Sequence, residues 1–347
     1  MLKQKNGLVN KAILYYATML YNSTLNKNMI YKSILDKVGN TPLVQVKSED
    51  FKNVNLLAKI ESFNPTGSIK DRAASYLIEK LLKTKEINSK TTLIESSSGN
   101  FGLSLSAYSK KYGLKFYCVV DSKVLPLNET LIREFGATII KVTETDSSGN
   151  YLLSRIKKVK ELVKIIPNSY WVNQYANKYN AEAYHHTLGN ELCNELDKID
   201  YVFMAVSSGG TITGVSQKIK DVFPKAKIIA VDIEGSVIFG GLSKKRYIYG
   251  MGSSIVPKIL KKAEINDIVV MDEISTVKMC HELLERHSIF AGGSSGTVFA
   301  AIKKYFAGKK INKKPNVVMI FPDGGDRYVD TIYNQEWYNN FISKHKE

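Results

Sequence analysis

The chain predicts an α/β protein of two interleaved lobes, each an open parallel sheet covered by helices, with a cleft between them. Three observations carry this expectation. From about Ser33 onward, short β-rich runs alternate with helical stretches, an order that gives parallel strands with covered faces. The 347 residues suffice for two such lobes around a buried core. No internal repeat or low-complexity linker interrupts the alternation.

The strands expected, in order, are residues 55–60, 92–95, 115–121, 138–142, 201–206, 228–232, 268–271 and 316–321. Amphipathic or lysine-rich segments at 73–82, 103–112, 127–135, 151–163 and 298–305 read as helices. A cleft between two lobes is the common place for a small ligand.

Composition narrows the function classes. With 44% hydrophobic and 24% charged residues, the chain has the profile of an ordinary soluble globular protein. The formal charge of +16 comes mostly from scattered lysine pairs such as Lys110-Lys111 and Lys261-Lys262. No basic stripe interleaved with aromatics accompanies it, which speaks against nucleic-acid binding. A basic surface gathers anionic metabolites, although a lysine-rich solvated face gives the same count.

Cys118, Cys193 and Cys280 are odd in number, far apart and set among apolar residues. That pattern is expected of buried, reduced thiols in a cytoplasmic protein and not of a disulfide frame. His185-His186 lacks a cysteine or carboxylate at ligand spacing, so no metal site is expected. No apolar run reaches 18 residues. The stretch Ala12-Ile13-Leu14-Tyr15-Tyr16-Ala17 resembles the apolar part of an export signal, but its tyrosines and the lack of an Ala-x-Ala site favour a helical extension.

Four motifs carry chemistry. The first is Asn64-Pro65-Thr66-Gly67-Ser68-Ile69-Lys70-Asp71-Arg72, which runs into a helical stretch. A lysine at a turn-to-helix junction can aim its amine into a cleft and form an imine with an aldehyde. A solvated charge cluster at a helix start produces the same string. The second is Glu95-Ser96-Ser97-Ser98-Gly99-Asn100-Phe101-Gly102, between a strand and a helix expected near Leu103. Hydroxyls and amides at a helix N-terminus make a carboxylate cradle, and an N-cap loop is the plainer alternative.

The third motif, Ser207-Ser208-Gly209-Gly210-Thr211, follows an apolar strand and opens a helix. Its small residues let backbone N–H groups approach a phosphate, which the helix dipole favours. It lacks the Gly-Lys-Ser/Thr ending of a nucleotide-binding P-loop, so a cup for a small phosphorylated cofactor fits better than a nucleotide site; a tight turn is the alternative. The fourth, Ala291-Gly292-Gly293-Ser294-Ser295-Gly296-Thr297, also precedes a helix and offers a serine to a neutral ring nitrogen.

One lysine, an Asn/Ser anion loop, a phosphate cup and a late serine loop, in this order, resemble the fold-type II pyridoxal-phosphate enzymes. More narrowly they resemble the cysteine synthase/cystathionine β-synthase family, from the opening Val38-Gly39-Asn40-Thr41-Pro42-Leu43 to about Tyr333. The resemblance implies a tryptophan-synthase-β-like fold, pyridoxal 5'-phosphate as cofactor, and a cytoplasmic homodimer acting on small molecules. It divides the chain into an N-terminal extension at 1–28, a smaller lobe at 62–172 and a larger lobe of 29–61 plus 173–337. Lys70 falls on the Schiff-base lysine, and Asn100 on the residue that contacts the ring hydroxyl. Ser207, Ser208, Gly209, Gly210 and Thr211 fall on the phosphate loop, and Ser294 on the partner of the pyridine nitrogen. Ser97, Ser98 and Gln174 fall where the substrate α-carboxylate is held. A neutral serine at the ring nitrogen steers the cofactor towards elimination and replacement at the β-carbon.

Departures sharpen the reading. Cysteine synthases usually carry threonine where this chain has Phe101, phenylalanine at Tyr175, glycine at Ser207 and a small residue at Arg155. The phenol, hydroxyl and guanidinium suit a more anionic substrate, because a guanidinium pairs a carboxylate through two parallel bonds. An exposed helix arginine is the alternative for Arg155. With Asn173-Gln174-Tyr175-Ala176-Asn177, Gly235-Ser236-Val237-Ile238-Phe239-Gly240 and Pro322-Asp323-Gly324-Gly325-Asp326-Arg327-Tyr328, this set resembles the branch that joins O-phospho-L-serine to L-glutamate on the way to 2,3-diaminopropionate and siderophores. The doublet Gly209-Gly210 keeps a cysteine synthase using sulfide as the alternative, and a non-catalytic scaffold is a remote one.

Overall fold

A computed structural model describes residues 30–145, 149–311 and 313–344. The proposed extension at 1–28, with its signal-like stretch, lies outside them. One unit of the chain ends at Lys37, and its described part contains a 3-10 turn, Ile34–Lys37. The second unit starts at Val38 and contains every strand found among the described residues.

The strands are β1 (Leu43–Val46), β2 (Asn55–Ile60), β3 (Thr92–Ser96), β4 (Lys115–Asp121), β5 (Thr138–Val142), β6 (Ser169–Trp171), β7 (Tyr201–Ala205), β8 (Lys227–Ile233), β9 (Asp267–Met271) and β10 (Asn316–Phe321). The helices are α1 (Lys70–Lys83), α2 (Asn100–Lys111), α3 (Pro126–Glu134), α4 (Leu152–Ile165), α5 (Lys178–Tyr184), α6 (Asn190–Glu195), α7 (Gly210–Val222), α8 (Glu273–His287), α9 (Gly293–Phe306) and α10 (Gln335–Lys344). Six strands form one sheet in the order β1-β2-β10-β7-β8-β9, and four form a second in the order β5-β4-β3-β6. All pairs are parallel except β1 with β2. The expected α/β architecture with two parallel-sheet lobes is therefore present.

The central strands of the larger sheet are hydrophobic on both faces, as parallel strands must be when helices cover them. Val317, Met319, Phe321, Phe203 and Ile229 pack with Val298, Phe299 and Ile302 of α9 in one buried cluster. In the smaller sheet Ile94 and Val119 pack against Val159 of α4. Strands β1 and β6 were not anticipated: each is short, only Val46 among their residues is buried, and the alternation signal is weak over three or four residues. No helix among the described residues is long and apolar enough to cross a membrane.

A buried ionic network fixes the start of α1. Arg72 Nε donates to Glu61 Oε2 at 2.6 Å and Nη2 to Glu191 Oε2 at 2.8 Å, while Lys59 Nζ lies 3.1 Å from Glu191 and 2.6 Å from Glu195. Asp71 accepts from the Thr66 backbone N–H at 2.6 Å and from the Thr66 hydroxyl. Asp71 and Arg72 are thus buried structural groups and not a solvated charge cluster. They anchor the turn that delivers Lys70.

Candidate active site

Lys70 is the first residue of α1 and sits where two connected hollows meet. Lys70, Asn100, Ser207 and Gly250 line both. The inner hollow, about 40 Å³, is closed by Ser208, Gly209, Thr211, Ser294 and Asp323. The outer chamber, about 290 Å³, is lined by Ser97, Ser98, Arg155, Gln174, Tyr175 and Arg246 among others. Motifs far apart in the chain meet here: the Ser97–Asn100 and Ser207–Thr211 loops follow the ends of β3 and β7, while Lys70 and Ser294 stand at the starts of α1 and α9.

The inner hollow has the makings of an anion cup. Gly209 takes φ +83°, a left-handed conformation that glycine adopts without strain, and turns the chain from β7 into the 13-residue α7. The unpaired N–H groups and the dipole at that helix start favour a phosphate. Gly210 departs from expectation. It does not line the hollow, and a Cβ there would fall 2.4 Å from Asn180 Oδ1, so its smallness serves helix packing. Ser294 lies inside the first turn of α9, which begins at Gly293, five residues earlier than expected.

Asp323 is the feature the sequence reading missed. It lies two residues past β10, and its Oδ2 accepts from Asn100 Nδ2 at 2.7 Å and from the Tyr328 hydroxyl at 3.2 Å. Its Oδ1 is buried without a partner. Burial pushes the carboxyl up, with Arg327 and the Asn100 bond opposing. A carboxylate therefore shares the hollow with Ser294, where only a serine was expected. Lys70 keeps some exposure to the hollow, yet the surrounding protein desolvates its amine and lowers its pKa to about 8, with the Asp323 charge opposing.

In the outer chamber α2 begins at Asn100 and not near Leu103, so the Ser/Asn loop is the helix entrance itself. Ser97 Oγ accepts from the Gly102 N–H at 2.9 Å. Gln174 Nε2 donates to Ser96 O at 3.3 Å, which fixes its amide beside that loop. Ser98 Oγ donates to Asp121 Oδ2 at 2.9 Å and accepts from Arg155 Nη1 at 2.8 Å. Arg155 lies 3.3 Å from Asp121 with its side chain 14% exposed, so it is a cleft residue and not a solvated one. Its Nε is buried without a partner. Burial pushes the Tyr175 phenol up to about 12, with Arg155 opposing, so it stays a neutral donor. Ser207 Oγ donates to Gly252 O at 3.1 Å. Beneath the loop, burial raises Glu95 to about 7, against hydrogen bonds from Ser96 and Gln174 backbone N–H groups.

Asp121, Arg246 and Asp323 complete the site and were not singled out from sequence. Asp121 ends β4 and Arg246 lies in a loop with no motif of its own, whereas Asp323 falls in the stretch Pro322–Tyr328 quoted for the resemblance but was given no role there. Cys118 and Cys280 are buried as expected, whereas Cys193 is only half-buried.

A family model for pyridoxal-phosphate dependent enzymes matches residues 34–323. The chain belongs to that family. Among solved structures, an O-acetylserine dependent cystathionine beta-synthase from Helicobacter pylori is 33% identical, with TM-score 0.81 over 87% of this chain and 98% of that one. A hydrogen sulfide-producing enzyme from Fusobacterium nucleatum is 28% identical, with TM-score 0.80 over 86% and 100%. An O-ureido-L-serine synthase is 25% identical, with TM-score 0.81 over 88% and 96%.

As a pyridoxal-phosphate enzyme the chain has groups that fit the cofactor. The glycine-turned start of α7 suits its phosphate, and the unpartnered Asp323 Oδ1 offers a buried acceptor to its ring. A Cβ at Gly292 would fall 2.0 Å from that oxygen, so glycine keeps the space open. The Lys70 amine borders the same hollow.

Proposed function

We propose that the protein is an N-(2-amino-2-carboxyethyl)-L-glutamate synthase. It condenses O-phospho-L-serine with L-glutamate, releases phosphate, and supplies 2,3-diaminopropionate for a siderophore, as a homodimer in the cytoplasm. The observation that carries this reading is the cationic outer chamber. Two guanidiniums, Arg155 and Arg246, line it together with Lys123, Tyr175 and Ser207. Asp121 in the same lining pairs Arg155 at 3.3 Å, so the excess positive charge rests on Arg246 and Lys123; sulfide would not meet it, whereas a dicarboxylic substrate would.

Lys70 would hold pyridoxal phosphate covalently, with Ser207, Ser208, Gly209 and Thr211 around its phosphate and Asn100, Ser294 and Asp323 around its ring. Once bound, the cofactor supplies an electron sink that acidifies the α-hydrogen of an amino acid. The chain's own residues do the rest. Ser97 and Gln174 orient the α-carboxylate of O-phospho-L-serine. Lys70 Nζ, whose pKa burial lowers to about 8 so that a larger share is neutral than for an ordinary lysine, takes the α-proton. The Cβ–O bond breaks and phosphate leaves. The glutamate nitrogen bonds to Cβ and loses a proton to solvent, and Lys70 returns its proton to Cα. Arg155, Tyr175 and Ser207 hold glutamate or the departing phosphate.

A cysteine synthase remains the second reading, because the 33% identical Helicobacter pylori enzyme is described as O-acetylserine dependent. Product mass separates the two. Holoenzyme given O-phospho-L-serine and equal glutamate and sulfide should release the glutamate adduct; cysteine as the sole product overturns the proposal.

A further inference from the structure

Two arginines border the outer chamber, and they are not equivalent. Arg155 is neutralised by Asp121 at 3.3 Å and shares Ser98 with it. Arg246, in the segment after β8, donates from Nη1 to Gly235 O at 2.6 Å, a bond that orients the guanidinium without cancelling its charge. Asp232 and Glu273 act on it only at longer range, and burial is the largest influence on it, disfavouring the charged form. A partly desolvated guanidinium beside a hollow, its remaining N–H donors unspent on a carboxylate, gains most from an anionic ligand that pairs with it bidentately.

Position decides which anion. The Ser97–Gln174 side of the chamber is taken up with the first substrate's α-carboxylate, next to Lys70. Arg246 enters from the segment after β8, in the same lining as Tyr249 and Ser253, and its field reaches the Tyr175 phenol. A ligand there has Tyr175, Tyr249 and Ser253 beside it in the chamber lining.

We infer that Arg246 is a specificity-determining residue that binds a carboxylate of the incoming amine, and so selects a dicarboxylic amino acid as the second substrate. The inference rests on the β-replacement reading above. Arg155, paired to Asp121, orders the chamber wall, and Arg246 supplies the net charge that the incoming carboxylate meets.

The test uses holoenzyme with Arg246→Ala and Arg246→Lys. Arg246→Ala should raise the half-saturating glutamate concentration at least about tenfold, with Arg246→Lys between it and the parent, since a point charge replaces a planar fork. Circular dichroism and the absorbance of the bound cofactor should stay at parental values in both variants, which shows that they are folded and loaded. The parent should prefer glutamate to glutamine as the amine, and Arg246→Ala should lose that preference. An unchanged glutamate dependence, or a preference for glutamate over glutamine that Arg246→Ala retains, overturns the assignment of Arg246 while leaving the synthase reading intact. A parent enzyme that forms no glutamate adduct but does form cysteine overturns both.

Discussion

The Asn100 side-chain amide donates to Asp323 Oδ2 across 2.7 Å, tying the entrance of α2 in the smaller sheet's lobe to the segment just past β10 of the larger sheet. Around this bond, Ser68 and Asp323 form one isolated bridge, and Ala291 and Gly324 another. The lysine turn and the serine loop are thereby pinned to the same strand end. The short segment Asp323–Gly324 thus holds three motifs that sequence presents as independent, the serine loop through the Asp323 carboxylate and the other two through backbone bridges.

Neutralising that carboxylate should move the lysine. Asp323 raises the Lys70 pKa against a larger lowering by burial, and the balance lies at about 8. In Asp323→Asn the raising influence is gone, so more of the amine is neutral at a given pH. The rate at which apoenzyme captures added pyridoxal phosphate, followed by absorbance, should rise with pH to a half-point near 8 in the parent and at lower pH in the variant. An unmoved half-point would show that the two groups do not communicate.

Removing the amine is the severest test of the proposed chemistry. Lys70→Ala should reduce product formation at least about 10²–10⁴-fold, the range for losing a positioned acid–base group. Circular dichroism and the melting temperature should stay near parental values. Parental turnover in this variant would end the assignment of Lys70.

Gly292→Ala should damage cofactor binding selectively. Its Cβ would sit 2.0 Å from Asp323 Oδ1 and 2.8 Å from the Tyr328 ring, so the carboxylate must shift. Equilibrium titration should show pyridoxal phosphate binding weakened at least about tenfold, corresponding to the 1–3 kcal/mol typical of overpacking. Binding at parental affinity would mean that the hollow tolerates the shift.

The Arg72 network should dominate acid stability. Burial alone would raise the Glu191 carboxyl, but Arg72 more than offsets this and holds it at about 2. Its folded pKa is below the unfolded value of about 4.3, so its contribution is complete above that value and is lost as pH falls through about 2. Arg72→Ala leaves Glu61 buried and unpaired and should cost about 3–5 kcal/mol in urea unfolding at neutral pH. A loss below about 1 kcal/mol would contradict a buried, mutually satisfied network.

Legibility from sequence tracked periodicity and length. The strand at 55–60 and the helix at 127–135 were readable because apolar residues recur at strand or helix spacing over several positions. β1 and β6, with three or four residues each, gave too short a sample. The start of α2 was placed three residues late, since serine, asparagine and glycine carry no helix signal even when they form the first turn. Among site residues, Lys70, Asn100 and the Ser207–Thr211 cup stood out because glycine and serine clusters mark them. Asp323 and Arg246 did not, since single charged residues in loops are ordinarily solvated.

By itself the amino-acid sequence determined the α/β class, the strand-ending loops and the lysine aimed at a cleft, because propensity, hydrophobic period and turn chemistry are local properties of the chain. Tertiary structure alone decided which charges survive in the chamber. Asp121 pairs Arg155, Arg246 bonds a backbone carbonyl with Asp232 and Glu273 acting on it at longer range, and Asp323 reaches Asn100 from 223 positions away. Coulombic pairing and desolvation depend on distance through space, and that distance is fixed only once the sheets have packed.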